Sequence, residues 1–250
     1  MILTKSGISH QFFIAAPFGN WIKPVGCIPV IGTYTLHPRG NVLWSVLGTL
    51  RYNFKMRGWT NRLQLPNPGV KVGLDRQIRG EVLSIAEVNK GDFSKLIEII
   101  PEGTNVELNL SCPNLGKSLS WDSARVFTQT NVRKWCIAKL SPLTTPEQLE
   151  FLIDELGFRQ VHFSNTLPWR GAGGLSGRVL RPYTLDLVRL VRENWGEAVT
   201  IIAGGGVSDF GAVYEYLKEG ANHVSLGSVC FNPFKLRKIL RQESKYDNEK

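Results

Sequence analysis

The chain is poor in cysteine. Four stand in 250 residues, Cys27, Cys112, Cys136 and Cys230, far apart and without a C-x-x-C pair. Neither a zinc site nor a disulfide framework is expected from that spacing, no metal is called for, and the thiols should be reduced. There is no apolar run near the roughly 20 residues that a membrane helix needs. Residues 1–11 lack the charged start, apolar middle and small-residue cleavage site of a secretory signal, so the expected location is cytoplasmic. Histidine is also scarce: His10, His37, His162 and His223 are the complete set, and none is tied by spacing to Cys112. A protease-like Cys/His pair therefore has no support. Blocks of like charge are absent as well. The 30 Lys and Arg against 21 Asp and Glu give a formal charge of +9, but they are scattered. The densest basic stretch, residues 235–250, also carries Glu243, Asp247 and Glu249 and reads as a solvated last helix and tail. The charge suits an anionic cofactor or substrate, or solubility alone, and gives no specific sign of nucleic acid.

What is present is a recurrence of short apolar stretches with helical patterns between them, the signature of βα units around a parallel sheet. Eight strands are expected, at residues 12–16, 27–33, 81–87, 105–110, 136–140, 160–164, 199–203 and 223–226. Helices are clearest at residues 93–100, 146–156, 183–194, 210–219 and 234–241. Pro146 and Pro233 suit helix starts, and Asp209 suits a cap. The length matches one (β/α)8 barrel, so residues 1–250 are read as a single domain. Two regions fit badly. Only residues 17–26 separate the first two strands, fewer than a crossover with its helix needs. Either the first barrel helix is missing or the first strand is misplaced. A missing helix would leave strand surface to be covered by a homodimer or by the final helix, with Trp21 and Ile22 shielding part of it. Residues 35–73, rich in Gly, Pro, Asn and aromatics, read as a long excursion over one barrel end, functional or disordered.

The segment ELNLSCPN, residues 107–114, alternates as a strand through Leu110 and then breaks, which puts Cys112 where a strand ends. In a parallel barrel the carboxyl ends of the strands form the catalytic face. Alternatively, Cys112 is a small buried hydrophobe. AGGGV (203–207) and LGS (226–228) end the last two expected strands, where glycine lets backbone N–H groups approach an anion and a following helix adds favourable partial charge. Paired in this order, they fit the usual phosphate site of such barrels. The glycine cluster at 171–177 is, by composition, a flexible loop. Lys139 lies inside an apolar strand and must point outward or meet an anion. Asn61, Asn109, Asn114 and Asn165 both donate and accept, as reading a ring edge of alternating C=O and N–H requires, though each alone also suits a turn or cap.

Taken in order, these motifs resemble the dihydroorotate dehydrogenase family of FMN-dependent barrels. The matching pieces are Ala15-Ala16, IGTYT (31–35), Gly40-Asn41, NRLQLPNPG (61–69), SIA (84–86), ELNLSCPN, AKLSP (138–142), SNT (164–166), GGLSG (173–177), AGGGV and LGS. The resemblance spans nearly the whole chain and implies an α/β TIM barrel with FMN at its C-terminal face. It implies that dihydroorotate is oxidised to orotate, the base taking a proton from C5 while hydride passes from C6 to flavin N5. By the resemblance Cys112 is that base, which suits a thiol because its anion is accessible near neutral pH. Asn61, Asn109, Asn114, Asn165 and Thr166 match positions that hold the pyrimidine and its carboxylate. Lys139 matches the lysine beside the flavin pyrimidine ring. Ala16, Gly177, Gly205, Gly206, Gly227 and Ser228 match further cofactor positions, the last five around the phosphate tail.

The chain also departs from the family. A lysine near flavin and substrate is replaced at its two usual placements by Asn20 and Ile31, leaving Lys23 as the basic residue that would have to reach in. Gln64 stands where the family has glycine, and both the 17–26 crossover and the 115–135 connection are short. A tRNA-dihydrouridine synthase-like enzyme and a noncatalytic flavin-binding protein are the competing readings. A dihydropyrimidine substrate, a homodimer or an electron-transfer partner subunit, and no membrane are the expected partners.

Overall fold

Alternation along each strand decides the architecture. In the computed structural model, which describes residues 10–110, 121–129, 132–169 and 173–248, the strands are β1 (Phe12–Ile14), β2 (Cys27–Tyr34), β3 (Arg51–Asn53), β4 (Gly58–Asn61), β5 (Val82–Ile85), β6 (Val106–Asn109), β7 (Cys136–Leu140), β8 (Gln160–Phe163), β9 (Leu167–Pro168), β10 (Gly174–Gly177), β11 (Thr200–Gly204) and β12 (His223–Leu226). The helices are α1 (Val42–Thr49), α2 (Val70–Arg76), α3 (Asp92–Ile99), α4 (Pro146–Glu150), α5 (Arg181–Trp195), α6 (Phe210–Glu219) and α7 (Pro233–Asn248). Eight strands close a parallel barrel in the order β1-β12-β11-β8-β7-β6-β5-β2. These are the eight expected strands, so the chain is a TIM barrel.

Outward-facing strand residues, among them Leu83, Ile85, Leu108, Ala138, Leu140, Val161, Phe163, Ala203 and Leu226, form the main core against the helices. Inward-facing residues divide by height. Phe13, Ile28, Val30, Val82, Trp135, Ile137 and Ile202 make an apolar plug. One step further along their strands the interior turns polar, with Ser84, Glu107, Lys139, His162 and Ser225 all buried. Since the parallel strands all run toward the same mouth, that polar layer lies under the C-terminal face.

The first crossover has no helix. A single 3-10 turn, Phe18–Asn20, returns the chain to β2, and Phe12 pairs in register with Cys27. The alternative of a misplaced first strand is therefore corrected, and the missing helix is real. The short path works because Gly19 lies directly on the β2 backbone, where a Cβ would come within 2.3 Å of Val30 O. Asn20 pins the turn by accepting from Gly32 N–H (3.2 Å) and donating to Pro17 O (2.8 Å). Phe18 meets Phe231 edge to face at 4.9 Å, and Ile22 packs against the main core. Trp21, expected to shield this flank, is 70% exposed instead. The final helix α7 packs against α6 and buries Leu236 and Ile239 in the same core as Phe12 and Ile14.

Residues 35–73 are ordered rather than disordered: they hold α1, β3, β4 and the start of α2. The second half of the 171–177 glycine cluster is not a flexible loop but strand β10. It pairs antiparallel with β4, so that β3-β4-β10-β9 form a small sheet beside the barrel mouth. Helix starts follow the sequence signals. Thr145 and Gln148 make a reciprocal capping box with Pro146 in the first turn, and Asp209 caps α6 by accepting from Ala212 N–H at 3.0 Å. The expected 146–156 helix changes at Phe151–Glu155 to a π-helical turn, and α7 runs past the expected end at residue 241. Among the described residues no helix is long and apolar enough to cross a membrane.

Candidate active site

A cavity of about 390 Å³ opens at the C-terminal end of the barrel. Its lining includes Ala16, Asn61, Asn109, Lys139, Asn165, Thr166, Gly177, Gly205, Gly206, Gly227 and Ser228. Every site residue expected from sequence that falls within the described residues is thus brought to one place. Cys112 and Asn114 lie outside the described residues.

The floor is a connected polar network. Glu107 on β6 is fully buried, and its Oε2 takes a hydrogen bond from His162 Nδ1 at 2.6 Å. Its Oε1 accepts from Ser84 Oγ at 3.0 Å and stands 3.6 Å from Lys139 Nζ. Ser84 in turn meets Thr33 Oγ1 at 3.0 Å, Asn109 Nδ2 donates to Thr33 Oγ1 at 3.3 Å, and Asn165 Nδ2 donates to Asn109 Oδ1 at 2.8 Å. Burial works against the Glu107 carboxylate, but the Lys139 charge, His162 and Ser84 outweigh it and hold the carboxyl well below its ordinary range. Burial, helped by the Lys139 charge and opposed by Glu107, lowers His162. Near neutral pH the trio is an ammonium, a carboxylate and a neutral imidazole whose Nδ1 carries the proton, because a carboxylate can only accept. Ser225 Oγ, also buried at the cavity floor, has no hydrogen-bond partner among the described residues. Glu107 and His162 were not singled out from sequence. The signal for Glu107 was the two-residue spacing that sets it on the same inward face as Asn109.

The glycine turn after β11 is oriented from behind. Tyr216 Oη donates to Gly204 O (3.2 Å) and Gly205 O (2.5 Å), and Thr184 Oγ1 donates to Gly204 O at 3.0 Å. In a trans peptide the C=O and the next N–H point opposite ways, so the Gly205 and Gly206 N–H groups face away from Tyr216. Those two N–H groups, with those of Gly227 and Ser228, have no backbone acceptor among the described residues. Gly205 (φ +87°) and Gly206 (φ +72°) are left-handed, and a Cβ on Gly206 would fall 3.0 Å from the Arg178 backbone. The α6 N-terminus contributes less than its position suggests, because the Asp209 carboxylate already caps it.

The other wall is aromatic. Trp59 of β4 stacks at 4.6 Å on Phe231, which reaches Phe18 at 4.9 Å, and all three line the cavity. Leu63, Leu65 and Pro66 line the cavity as well. Gln64 (φ 55°) and Leu65 (φ 56°) are both left-handed, a conformation that costs a side-chain-bearing residue roughly 1–2 kcal/mol. This explains why glycine would suit position 64. Asn67 holds the turn: its Oδ1 accepts from Thr35 N–H and Gly69 N–H, and its Nδ2 donates to Leu65 O at 2.8 Å. Lys23 does not reach the cavity, since its Nζ pairs with Glu81 Oε1 at 2.5 Å, just before β5 and therefore at the opposite end of the barrel. Ile31 faces the helices, and the cavity-lining residues of β2 are Gly32 and Thr33.

A closed parallel barrel with its cavity at the C-terminal mouth, a polar floor and glycine turns after the last two barrel strands defines a small-ligand enzyme of the TIM-barrel class. The family model for dihydroorotate dehydrogenase matches residues 31–245. The chain belongs to the dihydroorotate dehydrogenase family, a family of oxidoreductases. It is 29% identical to the catalytic subunit of dihydroorotate dehydrogenase B (NAD(+)) from Thermotoga petrophila, over 86% of this chain and 88% of that one. It is 28% identical to the corresponding subunit from Endomicrobium trichonymphae, over 83% of this chain and 75% of the relative. In fold it is similar to the Eimeria tenella dihydroorotate dehydrogenase crystallised with ferulenol. The TM-score is 0.76 at 21% identity, covering 96% of this chain and 82% of that one.

Proposed function

We propose that the chain binds FMN in this cavity and oxidises dihydroorotate to orotate. The observation that carries the proposal is the convergence on one cavity of four turn N–H groups without a backbone acceptor among the described residues, the amides Asn61, Asn109 and Asn165, and the ammonium of Lys139. The residues fit the cofactor. Gly205, Gly206, Gly227 and Ser228, joined by Gly177, would receive the phosphate, since convergent N–H groups favour an anion. Ala16 lines the same cavity. When bound, FMN supplies the hydride acceptor.

The chain's own residues do the rest. Asn165 spends one N–H on Asn109 and takes Thr166 N–H at 3.1 Å, so its amide plane is fixed before a substrate arrives. Thr166 is held in turn because Gly174 leaves space for it, a Cβ there falling 2.0 Å from Thr166 Oγ1. With Asn61 and Asn114 these amides read the alternating C=O and N–H edge of a dihydropyrimidine and its carboxylate. Cys112, by the family resemblance, takes the proton as thiolate. The aromatic wall of Trp59, Phe231 and Phe18 keeps water from the reacting atoms. Membership in this family favours dihydroorotate over an RNA substrate.

The relatives are named as catalytic subunits, which supports an electron-transfer partner subunit as the outlet for electrons. The exposed Trp21 on the flank without a helix supports a homodimer there. The deciding experiment is the visible spectrum of the purified protein followed by anaerobic mixing with dihydroorotate. A flavin spectrum that bleaches supports the proposal, and a bound flavin that does not bleach rejects the activity. The second reading, a flavin-binding protein without turnover, is favoured by Asn20 and Ile31 in place of lysine and by the left-handed Gln64. It predicts that second result.

A further inference from the structure

The proposed function makes no use of the buried pair beneath Lys139. Lys139 is the one cationic side chain among the described residues of the cavity lining. Glu107 Oε1 lies 3.6 Å from its Nζ, longer than the roughly 2.7–2.9 Å of a charge-assisted hydrogen bond. Both carboxylate oxygens are engaged elsewhere, by Ser84 Oγ at 3.0 Å and by His162 Nδ1 at 2.6 Å.

Register gives the pair a direction. Asn109 pairs with Lys139 while Glu107 pairs with Ile137, so on adjacent strands the lysine sits two residues nearer the mouth than the carboxylate. The positive end of the pair faces the cavity and the negative end lies below it. From the neighbouring strands the described groups around Glu107 are Ser84 on β5 and His162 on β8, with the uncharged Gly204 and Ser225 beyond.

We propose that Glu107, held by Ser84 and His162, is a positioning residue that sets how much of the Lys139 positive charge reaches the ring of a flavin bound in the cavity. The inference rests on FMN binding as proposed above. A reduced, anionic flavin is stabilised by a nearby cation, and a carboxylate behind that cation cancels part of its field. His162 keeps the cancellation partial, because its hydrogen bond draws the carboxylate away from the ammonium.

The test is the midpoint potential of bound FMN, read by equilibration with a reference dye. In Glu107→Gln the Lys139 charge is unopposed. At pH 6 the reduction equilibrium should then shift at least tenfold toward the reduced form, a rise of about 30 mV for a two-electron couple. The rise should be absent when Glu107→Gln is made on a Lys139→Met background, where no lysine charge is left to be unmasked. A merely structural Glu107 produces no such dependence on Lys139. His162→Leu lets the carboxylate close on Lys139 and should lower the potential, and His162→Asn, whose amide N–H can stand near the place of Nδ1–H, should restore it. If Glu107→Gln does not fold, the two His162 variants decide alone. Potentials equal to wild type in the variants that fold, with full flavin content, overturn the inference and leave FMN binding intact. Wild-type protein that takes up no FMN overturns the proposed function itself.

Discussion

Tyr216→Phe isolates the glycine turn from everything else in the site. The hydroxyl lies behind the turn, on the buried side of α6, and holds the Gly204 and Gly205 carbonyls at 3.2 and 2.5 Å. Removing it leaves Gly204 O with Thr184 and Gly205 O with no backbone donor among the described residues. A buried acceptor left unpaired costs about 1–3 kcal/mol. The turn relieves part of that cost by rotating its peptides, which takes the Gly205 and Gly206 N–H groups off the phosphate. A loss of about 1–2 kcal/mol in FMN binding corresponds to roughly a 5- to 30-fold weaker Kd. The assay is quenching of FMN fluorescence on titration into flavin-stripped protein, with riboflavin as the control. Riboflavin has no phosphate, so its affinity should be the same in both proteins. Equal FMN affinity in wild type and variant, or an equal loss for riboflavin, would refute the placement of the phosphate at this turn.

Cys112→Ala should retain flavin but slow its reduction by dihydroorotate at least ~100-fold in stopped-flow mixing, the scale of a lost general base; an unchanged rate removes Cys112 from the mechanism. Gly206→Val should purify without flavin, because the left-handed backbone resists a branched side chain and the Arg178 backbone, 3.0 Å from the new Cβ, displaces the turn; a full flavin complement would place the phosphate elsewhere. His10 and His223, buried at the bottom of the barrel, are each lowered from 6.5 to about 4 by burial, with His223 charge adding to the effect on His10 and Lys134 charge to that on His223. Their unfolded forms bind protons first, so stability is complete above pH 6.5 and declines as pH falls toward 4, by roughly 2 kcal/mol per histidine at pH 4.5. Urea midpoints followed by tryptophan fluorescence should show this, and His223→Asn should flatten the decline; a midpoint independent of pH would contradict it.

The eight barrel strands were legible because each carries its burial in its own residues: an apolar or alternating run bounded by turn formers needs no partner to be recognised. The small sheet was not. Gly58 pairs with Gly177 and Asn61 with Gly174 across more than a hundred residues, and glycines that look like flexibility in sequence are there because Ser176 O and Thr166 Oγ1 leave no space for a Cβ. The described site residues that motifs single out line the cavity. The residues that hold them in place carry no motif, for a common reason. Tyr216 on α6 reads as one more buried aromatic of an amphipathic helix, and only the fold shows its hydroxyl on the glycine turn. His162 has no sequence neighbour that marks it, since its contact is Glu107 on a strand 55 positions earlier.

The two halves of the barrel interior carry opposite costs. Below, Phe13, Trp135, Ile137 and Ile202 fill the plug with side chains that need no partners, a layer that favours folding whatever ligand is present. Above, a buried carboxylate, an ammonium and an imidazole occupy inward positions, and the nearby 64–65 segment holds two left-handed residues. Hydrophobic side chains of similar volume would often be at least as stable as a buried ion pair. A chain selected for stability alone would extend the apolar plug upward. The change from apolar to polar occurs within two residues on the strands either side of β6, Ile137 to Lys139 on β7 and Val82 to Ser84 on β5. An abrupt boundary of this kind separates the part of the interior that holds the fold from the part that holds charge beside the cavity.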